Sequence, residues 1–265
     1  MRRRDLLRLA GAGAAASATG CLGLFDEGHE NARLPPPDYY DTIREAELPY
    51  PIYGEPLPEA TVDAPLHGRE VSTHDFVGDR HVLLTFIFTR CPGVCPGLTA
   101  NLVQVQSDAA ENGYTDDVAL MAVTFDPVYD TAEVLDVYAD DMGVDRDADN
   151  FYFLRPDGEE RVNEVVVEKF GHAYSKTDMY SETGELEHDH GAHDGDGDGE
   201  EHADGHEGES DDPAPGQTID GELPIEHFPL FILANSDGYV ERSYRNTVPT
   251  PNTVIDDVQD LVEVN

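Results

Sequence analysis

The sequence of 265 residues has no tryptophan, only two lysines and only three cysteines. Basic residues are scarce altogether, since 16 lysines and arginines stand against 56 aspartates and glutamates, and the formal net charge is -40. A surface of this sign repels nucleic acid, so a nucleic-acid-binding function is excluded. The acidic residues are spread along the whole chain. This composition predicts a halophilic protein whose self-repulsion is screened by salt.

The cysteines are too few for a disulfide scaffold, but two of them stand close together. Cys91 and Cys95 follow an apolar run that is typical of a buried strand, and Pro96 suits the first turn of a helix. A helix N-terminus favours a thiolate over a thiol. The pattern therefore predicts two activated sulfurs at a strand-to-helix turn, suited to redox catalysis or to a soft metal. A stapling disulfide is the weaker interpretation, because it would close a very short loop.

The third cysteine ends an N-terminal segment, residues 1–21, that has the features of an export signal. Arg3 and Arg4 form a twin-arginine pair, an Ala/Gly-rich stretch follows, and small residues lead into Cys21. This pattern predicts a twin-arginine (Tat) lipoprotein signal, cleaved before Cys21, with lipid attached to its sulfur. A transmembrane anchor is disfavoured, because about ten apolar residues are too few to span a bilayer. We therefore expect a lipid-anchored protein at the extracytoplasmic face of the cell membrane, in an oxidising compartment.

The remaining chain divides into a polar tether, residues 22–49, and a domain, residues 50–265. In the domain, apolar runs alternate with segments of helical periodicity. Strands are predicted for residues 82–88, 118–125, 151–154, 228–234 and 239–244, with a β-hairpin or loose strands before the first. Helices are predicted for residues 98–112, 130–142, 162–170 and 253–262, the second with a capping box formed by Asp130 and Glu133. The order predicts an α/β fold of three layers, in which helices flank a mixed central sheet.

An insertion, residues 182–221, interrupts the domain with a different composition. Between Glu185 and Asp212 there are thirteen acidic residues and five histidines. The segment has too few apolar side chains to bury a core and is predicted to be disordered. Its histidines and carboxylates suit divalent copper or zinc, so a weak metal-collecting arm and a solvated insertion without a specific role are both open interpretations. The histidines are His188, His190, His193, His202 and His206.

One further histidine is singled out by topology. A two-thiol turn after the first core strand, with a late hairpin and a C-terminal helix, is the thioredoxin-like arrangement, in which the loop before the hairpin lies beside the thiol turn. His227 stands in that loop, so we expect it to meet Cys91 and Cys95. The other histidines of the domain are interpreted as surface residues: His67, His74, His81 and His172.

Several motifs resemble the Sco/SenC family, from about Gly54 to the C-terminus and outside the insertion. They are Cys91-Pro92-Gly93-Val94-Cys95-Pro96, Thr124-Phe125-Asp126-Pro127 with Asp130-Thr131 beyond it, Tyr174-Ser175-Lys176, and His227 before the final hairpin. The resemblance implies a membrane-attached copper metallochaperone in which Cys91, Cys95 and His227 hold Cu(I) or Cu(II). It implies a role in building the dinuclear copper centre of a haem-copper terminal oxidase, with the copper-binding subunit of that oxidase as partner. With the acidic composition, it indicates a lipoprotein of haloarchaeal type.

A second function fits the same thiols, namely a thiol-disulfide oxidoreductase that keeps cysteines of an exported copper-binding subunit reduced. Pro229 departs from the family pattern and resembles the proline found before the corresponding strand of thioredoxins, which adds weight to a redox role. Asp126 matches the acidic position of the family near the cysteines. It is interpreted either as a residue that tunes the thiols or contacts a partner, or as ordinary turn chemistry before Pro127.

Two other classes are weaker. A peroxidase of this fold needs Thr or Ser three residues before its reactive cysteine, whereas Phe88 and Pro92 stand there. A metal-buffering lipoprotein that works through the histidines of the insertion is the last interpretation.

Overall fold

The computed structural model describes residues 29–176 and 225–264. The predictions for the export signal, for Cys21 and for the whole insertion with its five histidines lie outside the described residues. The strands of the described part are β1 Thr61–Ala64, β2 Arg69–Ser72, β3 His81–Ile87, β4 Val118–Thr124, β5 Phe151–Leu154, β6 Tyr174–Lys176, β7 Ile225–His227, β8 Leu230–Ala234 and β9 Val240–Arg245. The helices are α1 Tyr40–Ile43, α2 Val94–Asn112, α3 Ala132–Met142, α4 Glu159–Val162 and α5 Pro251–Glu263, with a 3-10 turn at Thr115–Asp117 and a π-helix, Asn163–Lys169, that continues α4. Over these residues, every helix is too short or too polar to cross a bilayer.

The central sheet has the strand order β5-β4-β3-β8-β9. The strands β3, β4 and β5 are parallel, and β8 and β9 run antiparallel to their neighbours. Every residue of β3, β4, β5 and β8 is buried. Such runs without polar alternation are expected when both faces of a sheet are covered. The predicted α/β architecture, a mixed central sheet flanked by helices, is therefore confirmed, and β1 and β2 form the predicted hairpin before it.

Helix α2 begins after the turn that follows β3 and contains Cys91. Its buried face carries Leu98, Leu102, Val105 and Ala109 at helical spacing, and it packs against α5. The helix ends at Gly113, whose φ of 81° is left-handed and whose N–H donates to the carbonyl oxygen of Ala109. Because β3 is the middle strand, the turn that follows it lies at the centre of one sheet edge.

Two differences from the sequence prediction lie close to the thiols and to His227. Thr131, not Asp130, caps α3, and its side-chain oxygen accepts the N–H of Val134. Strand β8 begins at Leu230, and Phe228, predicted to lie in a buried strand, is 61 % exposed. Pro229 between them has no N–H to give to a sheet, which explains why the ladder starts after it. The Phe228–Pro229 bond is trans.

The segment predicted as a tether contacts the domain where it is described. Leu34 is buried, and the backbone N–H groups of Arg33 and Leu34 donate to the carboxylate of Glu241 in β9. The hydroxyl of Tyr39 donates to the carbonyl oxygen of Ser243 in the same strand. Residues 33–39 therefore cover the edge strand β9, which otherwise exposes unpaired backbone groups.

Two of the histidines interpreted as surface residues are buried, and that interpretation was wrong for them. His81 accepts the N–H of Ser236 at its Nδ1, 3.0 Å away. His172 follows Gly171 at the end of the π-helix and packs among aromatic rings. His67 and His74 are partly exposed.

Candidate metal centre

The thiol turn places two free, buried cysteines at the start of α2. Cys95 is the second residue of the helix, and Cys91 lies in the turn before it. The N–H of Cys91 donates to the carbonyl oxygen of Phe88, and the N–H of Phe88 donates to Cys95 Sγ at 3.5 Å. Cys91 is 5 % exposed and Cys95 is 0 % exposed. Cys91 is therefore the slightly more exposed of the two cysteines.

His227 ends β7 and reaches over the two sulfurs. Its Nε2 lies 3.2 Å from Cys95 Sγ and 3.9 Å from Cys91 Sγ. Tyr174 in β6 pairs with His227 through the backbone. Three residues further along the chain, the carbonyl oxygen of Leu230 at the start of β8 accepts a hydrogen bond from the hydroxyl of Thr85 in β3. The three ligand atoms all lie within 4.8 Å of one another, and this is the one such group of His, Cys, Asp or Glu side chains over residues 29–176 and 225–264. The structure thus brings together the three side chains that the sequence analysis singled out.

The two thiols differ in acidity. Hydrogen bonds with Cys95 and, to a lesser extent, with His227 lower the pKa of Cys91 to about 4, against the effect of burial. Burial raises the pKa of Cys95, and its hydrogen bond to Cys91 adds to the rise. Near neutral pH the reduced pair therefore consists of a Cys91 thiolate that accepts a hydrogen bond from a Cys95 thiol.

A buried ion pair fixes the residue before Cys91. Arg90 Nη2 lies 2.6 Å from Asp126 Oδ2, and its guanidinium carbon lies 4.0 Å from the centre of the Tyr129 ring. Both charged side chains are almost fully buried. Asp126, which was predicted to lie near the thiols, therefore contacts the residue before Cys91 through this ion pair. It is not one of the three side chains that could bind a metal together. Its backbone also forms the expected turn, since its carbonyl oxygen accepts the N–H groups of Tyr129 and Asp130.

A second buried carboxylate ties the thiol turn to β4. Asp130 is 0 % exposed and accepts hydrogen bonds from the N–H and the hydroxyl of Thr89 and from the hydroxyl of Thr124. Burial raises the pKa of Asp130 to about 7, although these hydrogen bonds oppose the rise. Since Thr89 precedes Arg90 and Thr124 ends β4, the carboxylate joins the ends of two neighbouring strands beneath the site.

Aromatic rings and a second imidazole surround His227. The ring centres of Phe125, His172 and Phe88 lie 4.9, 5.5 and 5.7 Å from that of His227. Burial lowers the pKa of His172 to about 3, and the neighbouring His227 contributes to the lowering. His172 is therefore a neutral imidazole at physiological pH.

Three residues around the site were missed by sequence reasoning: Arg90, Asp130 and His172. Arg90 gave a signal, because a charged residue that directly precedes Cys91 at the end of an apolar run needs a buried partner. The buried position of Asp130 was missed because its spacing from Glu133 is that of a capping box, which predicts a helix cap. His172 gave no signal, since a histidine at a helix end is an ordinary capping residue.

Two thiolates and an imidazole make a soft donor set of low coordination number, which suits Cu(I) among the biological metals. The fold and the site together define a thioredoxin-like protein with a buried Cys-Cys-His group at the carboxyl end of its central strand.

Comparison with known proteins agrees with this class. The SCO1/SenC family model matches residues 64–195. The match ends before His227, so it covers Cys91 and Cys95 but not the third candidate ligand. The evidence for His227 is its position beside the two sulfurs in the structure. A search of curated proteins found no match. The chain therefore resembles the SCO1/SenC family over about half of its length.

Solved structures share the fold at low sequence identity. A SCO1/SenC family lipoprotein from Bacillus anthracis is 20 % identical with a TM-score of 0.53, over 82 % of this chain and 98 % of that one. BsSco, described as a member of the Sco family of cytochrome c oxidase assembly proteins with a disulfide switch, is 21 % identical with a TM-score of 0.50, over 81 % and 99 %. Yeast Sco1 with copper bound is 16 % identical with a TM-score of 0.51, over 81 % and 90 %.

Proposed function

We propose that the protein is a copper metallochaperone that delivers copper to, or matures, the dinuclear copper centre of a haem-copper terminal oxidase. The observation that carries the proposal is the convergence of the ligand atoms of Cys91, Cys95 and His227 within 4.8 Å of one another. The family match supports it, as do the copper in yeast Sco1 and the place of BsSco among the cytochrome c oxidase assembly proteins. Copper is the cargo of this site.

The acidities of the thiols suit reversible binding. Cys91 is already a thiolate near neutral pH, so only the proton of Cys95 must leave when the metal enters. A copper ion held by two thiolates and His227 would be able to take a further ligand. A ligand of the acceptor subunit is able to enter there before the donor ligands leave, which allows transfer without release of the ion into solution.

A thiol-disulfide oxidoreductase is the second candidate, favoured by the low pKa of Cys91 and its position as the more exposed sulfur. The Cys91 thiolate attacks a disulfide of the partner, forms a mixed disulfide and releases one partner thiolate. Cys95, after losing its proton, attacks the Cys91 sulfur and releases the second partner thiolate. The partner gains two electrons and this protein ends with a Cys91–Cys95 disulfide, which no longer binds copper.

One experiment distinguishes the two candidates. The acceptor is the soluble copper-binding domain of the oxidase subunit from the same organism, offered either reduced and copper-free or oxidised to its disulfide. A chaperone moves copper from the loaded protein to the reduced domain and generates the absorption spectrum of the dinuclear centre. An oxidoreductase reduces the oxidised domain, which is measured by counting free thiols. The matched control is Cys91→Ser, and copper that stays on the donor together with an unreduced acceptor would contradict both functions.

The location is part of the proposal. The twin-arginine pattern and the small residues before Cys21 support export and a lipid anchor at the extracytoplasmic face of the membrane. Mass spectrometry of the mature protein tests this directly, because an unmodified Cys21 would contradict the anchor. The acidic composition supports a halophilic lipoprotein of haloarchaeal type.

The histidines of the insertion are proposed as a weak copper-collecting arm. Deletion of residues 185–212 should lower the number of copper ions bound without changing the affinity of the tight site. Equilibrium dialysis of copper against the full chain and the deletion variant measures both quantities. An unchanged stoichiometry would leave the insertion as a solvated segment without a metal role.

A further inference from the structure

Two ring nitrogens beside the candidate metal centre are buried and have no hydrogen-bond partner among the residues that the structure describes. They are His227 Nδ1 and His172 Nε2. They belong to rings in contact, with centres 5.5 Å apart and planes inclined at 56°. A buried polar atom without a partner is costly, and two of them on neighbouring rings, one able to donate and the other able to accept, call for a common explanation.

The contacts of His227 with the two sulfurs show which of its ring nitrogens a metal would take. Nε2 faces Cys95 Sγ at 3.2 Å and Cys91 Sγ at 3.9 Å, so it is the nitrogen presented to a metal. A neutral imidazole that binds through Nε2 carries its proton on Nδ1. That N–H group is buried and needs an acceptor. Metal-bound histidines almost always donate their second ring nitrogen to such a partner.

His172 is held in position to accept this proton. It is 2 % exposed, and its backbone N–H donates to the carbonyl oxygen of Val166 at 2.9 Å. Its ring stacks on Phe86 with centres 4.8 Å apart and an interplanar angle of 20°. The phenyl ring of Phe125 contacts both imidazoles and shields them from water. A neutral imidazole with its proton on Nδ1 offers Nε2 as an acceptor.

We propose that the Nδ1–H group of His227 donates a hydrogen bond to His172 Nε2 when a metal occupies the Cys91–Cys95–His227 site. His172 is then a positioning residue, because it acts on the metal through His227. It fixes the tautomer and the ring orientation of the ligand. This inference rests on the proposed copper function of the site.

Nuclear magnetic resonance of the protein with 15N-labelled histidine tests the bond in the wild type. We expect a through-hydrogen-bond coupling between His227 Nδ1 and His172 Nε2 in the Cu(I)-loaded protein, with His227 in the Nδ1–H tautomer. An absent coupling with His227 in the other tautomer would overturn the inference. Copper bound directly at His172 Nε2 would also overturn it, because His172 would then be a ligand.

Two substitutions test the consequence for binding. His172→Phe keeps an aromatic ring against Phe86 but removes the acceptor, and we expect Cu(I) affinity to fall by about 10–100-fold. His172→Gln restores an acceptor oxygen and should recover most of the loss, which a purely structural role does not predict. His67→Phe, which changes a partly exposed histidine packed on Tyr152, is the control and should bind like the wild type.

The outcomes separate the inference from the function on which it rests. A protein that binds copper through His227, shows no coupling and is insensitive to His172→Phe overturns the inference alone. A wild type that binds no copper overturns the proposed function and the inference with it.

Discussion

Replacement of Asp130 by asparagine should change how the stability of the protein depends on pH. The carboxyl is fully buried, and burial raises its pKa to about 7 from an ordinary value of 3.8. Between these values the folded protein holds a proton that the unfolded chain has lost. The stability from this group is therefore complete below about pH 4 and is lost as the pH rises to about 7.

The magnitude follows from the two pKa values. One pKa unit corresponds to about 1.4 kcal/mol, so the interval between 3.8 and about 7 corresponds to roughly 4 kcal/mol of unfolding free energy. Asparagine has nearly the same shape and is neutral at every pH. Its Oδ1 is able to accept the two hydrogen bonds from Thr89, and its Nδ2 is able to donate to the hydroxyl oxygen of Thr124, so the hydrogen bonds beneath the site are kept.

Urea unfolding at molar salt, repeated from pH 4 to pH 8, measures the effect. The unfolding free energy of Asp130→Asn minus that of the wild type should rise by about 4 kcal/mol between pH 4 and pH 7 and then level off. Asp260→Asn, at an exposed position of α5, controls for the loss of one carboxylate. A difference for Asp130→Asn that stays constant over the whole range would refute the assignment of a buried, protonated carboxyl beneath the thiol turn.

Three further predictions concern the thiol turn and its supports. Because the pKa of Cys91 is lowered to about 4, the ultraviolet thiolate absorbance of the reduced metal-free protein should persist at pH 6, vanish as the pH falls through about 4, and be absent from Cys91→Ser. Arg90→Ala removes the buried ion-pair partner of Asp126 and should cost about 3–5 kcal/mol in urea unfolding; removal of both side chains should cost less than the sum of the single losses, and additive losses would argue against the pair. Gly171→Ala should destabilise more than Gly113→Ala, because both glycines have positive φ but only at Gly171 would a Cβ atom overlap a backbone carbonyl; equal unfolding free energies for the two variants would contradict that packing.

The central part of the site was predictable because its signals are local or topological. The apolar run before Cys91 and the proline after Cys95 mark a strand that passes into a helix. His227 followed from the thioredoxin-like order of elements, which places the loop before the last hairpin beside that turn. Neither inference needs a long-range contact to be known in advance.

The supports of the site were not predictable in the same way. Asp130 has the spacing of a helix cap, and only the fold shows that Thr131 takes that role while the carboxylate turns inward to Thr89. His172 has the position of a capping histidine, yet the aromatic rings that bury it come from β3 and from the residue after β4. Burial of a polar side chain is decided by elements distant in the sequence.

One boundary error has a different cause. Residues 228–234 form a continuous apolar run, which periodicity cannot divide. The missing N–H of Pro229 delays β8 to Leu230 and leaves Phe228 61 % exposed beside His227.

The most direct test of the three-ligand site is a Cu(I) titration of the reduced protein against a competing chromophoric chelator, with and without His227→Ala. We expect one tight copper ion in the wild type and a loss of affinity of at least about 100-fold in the variant, since loss of a ligand should exceed the effect of losing an outer partner. His74→Ala, which changes a histidine hydrogen-bonded to the carbonyl oxygen of Leu57, is the control and should leave binding unchanged. Full affinity in His227→Ala would contradict a site built from Cys91, Cys95 and His227.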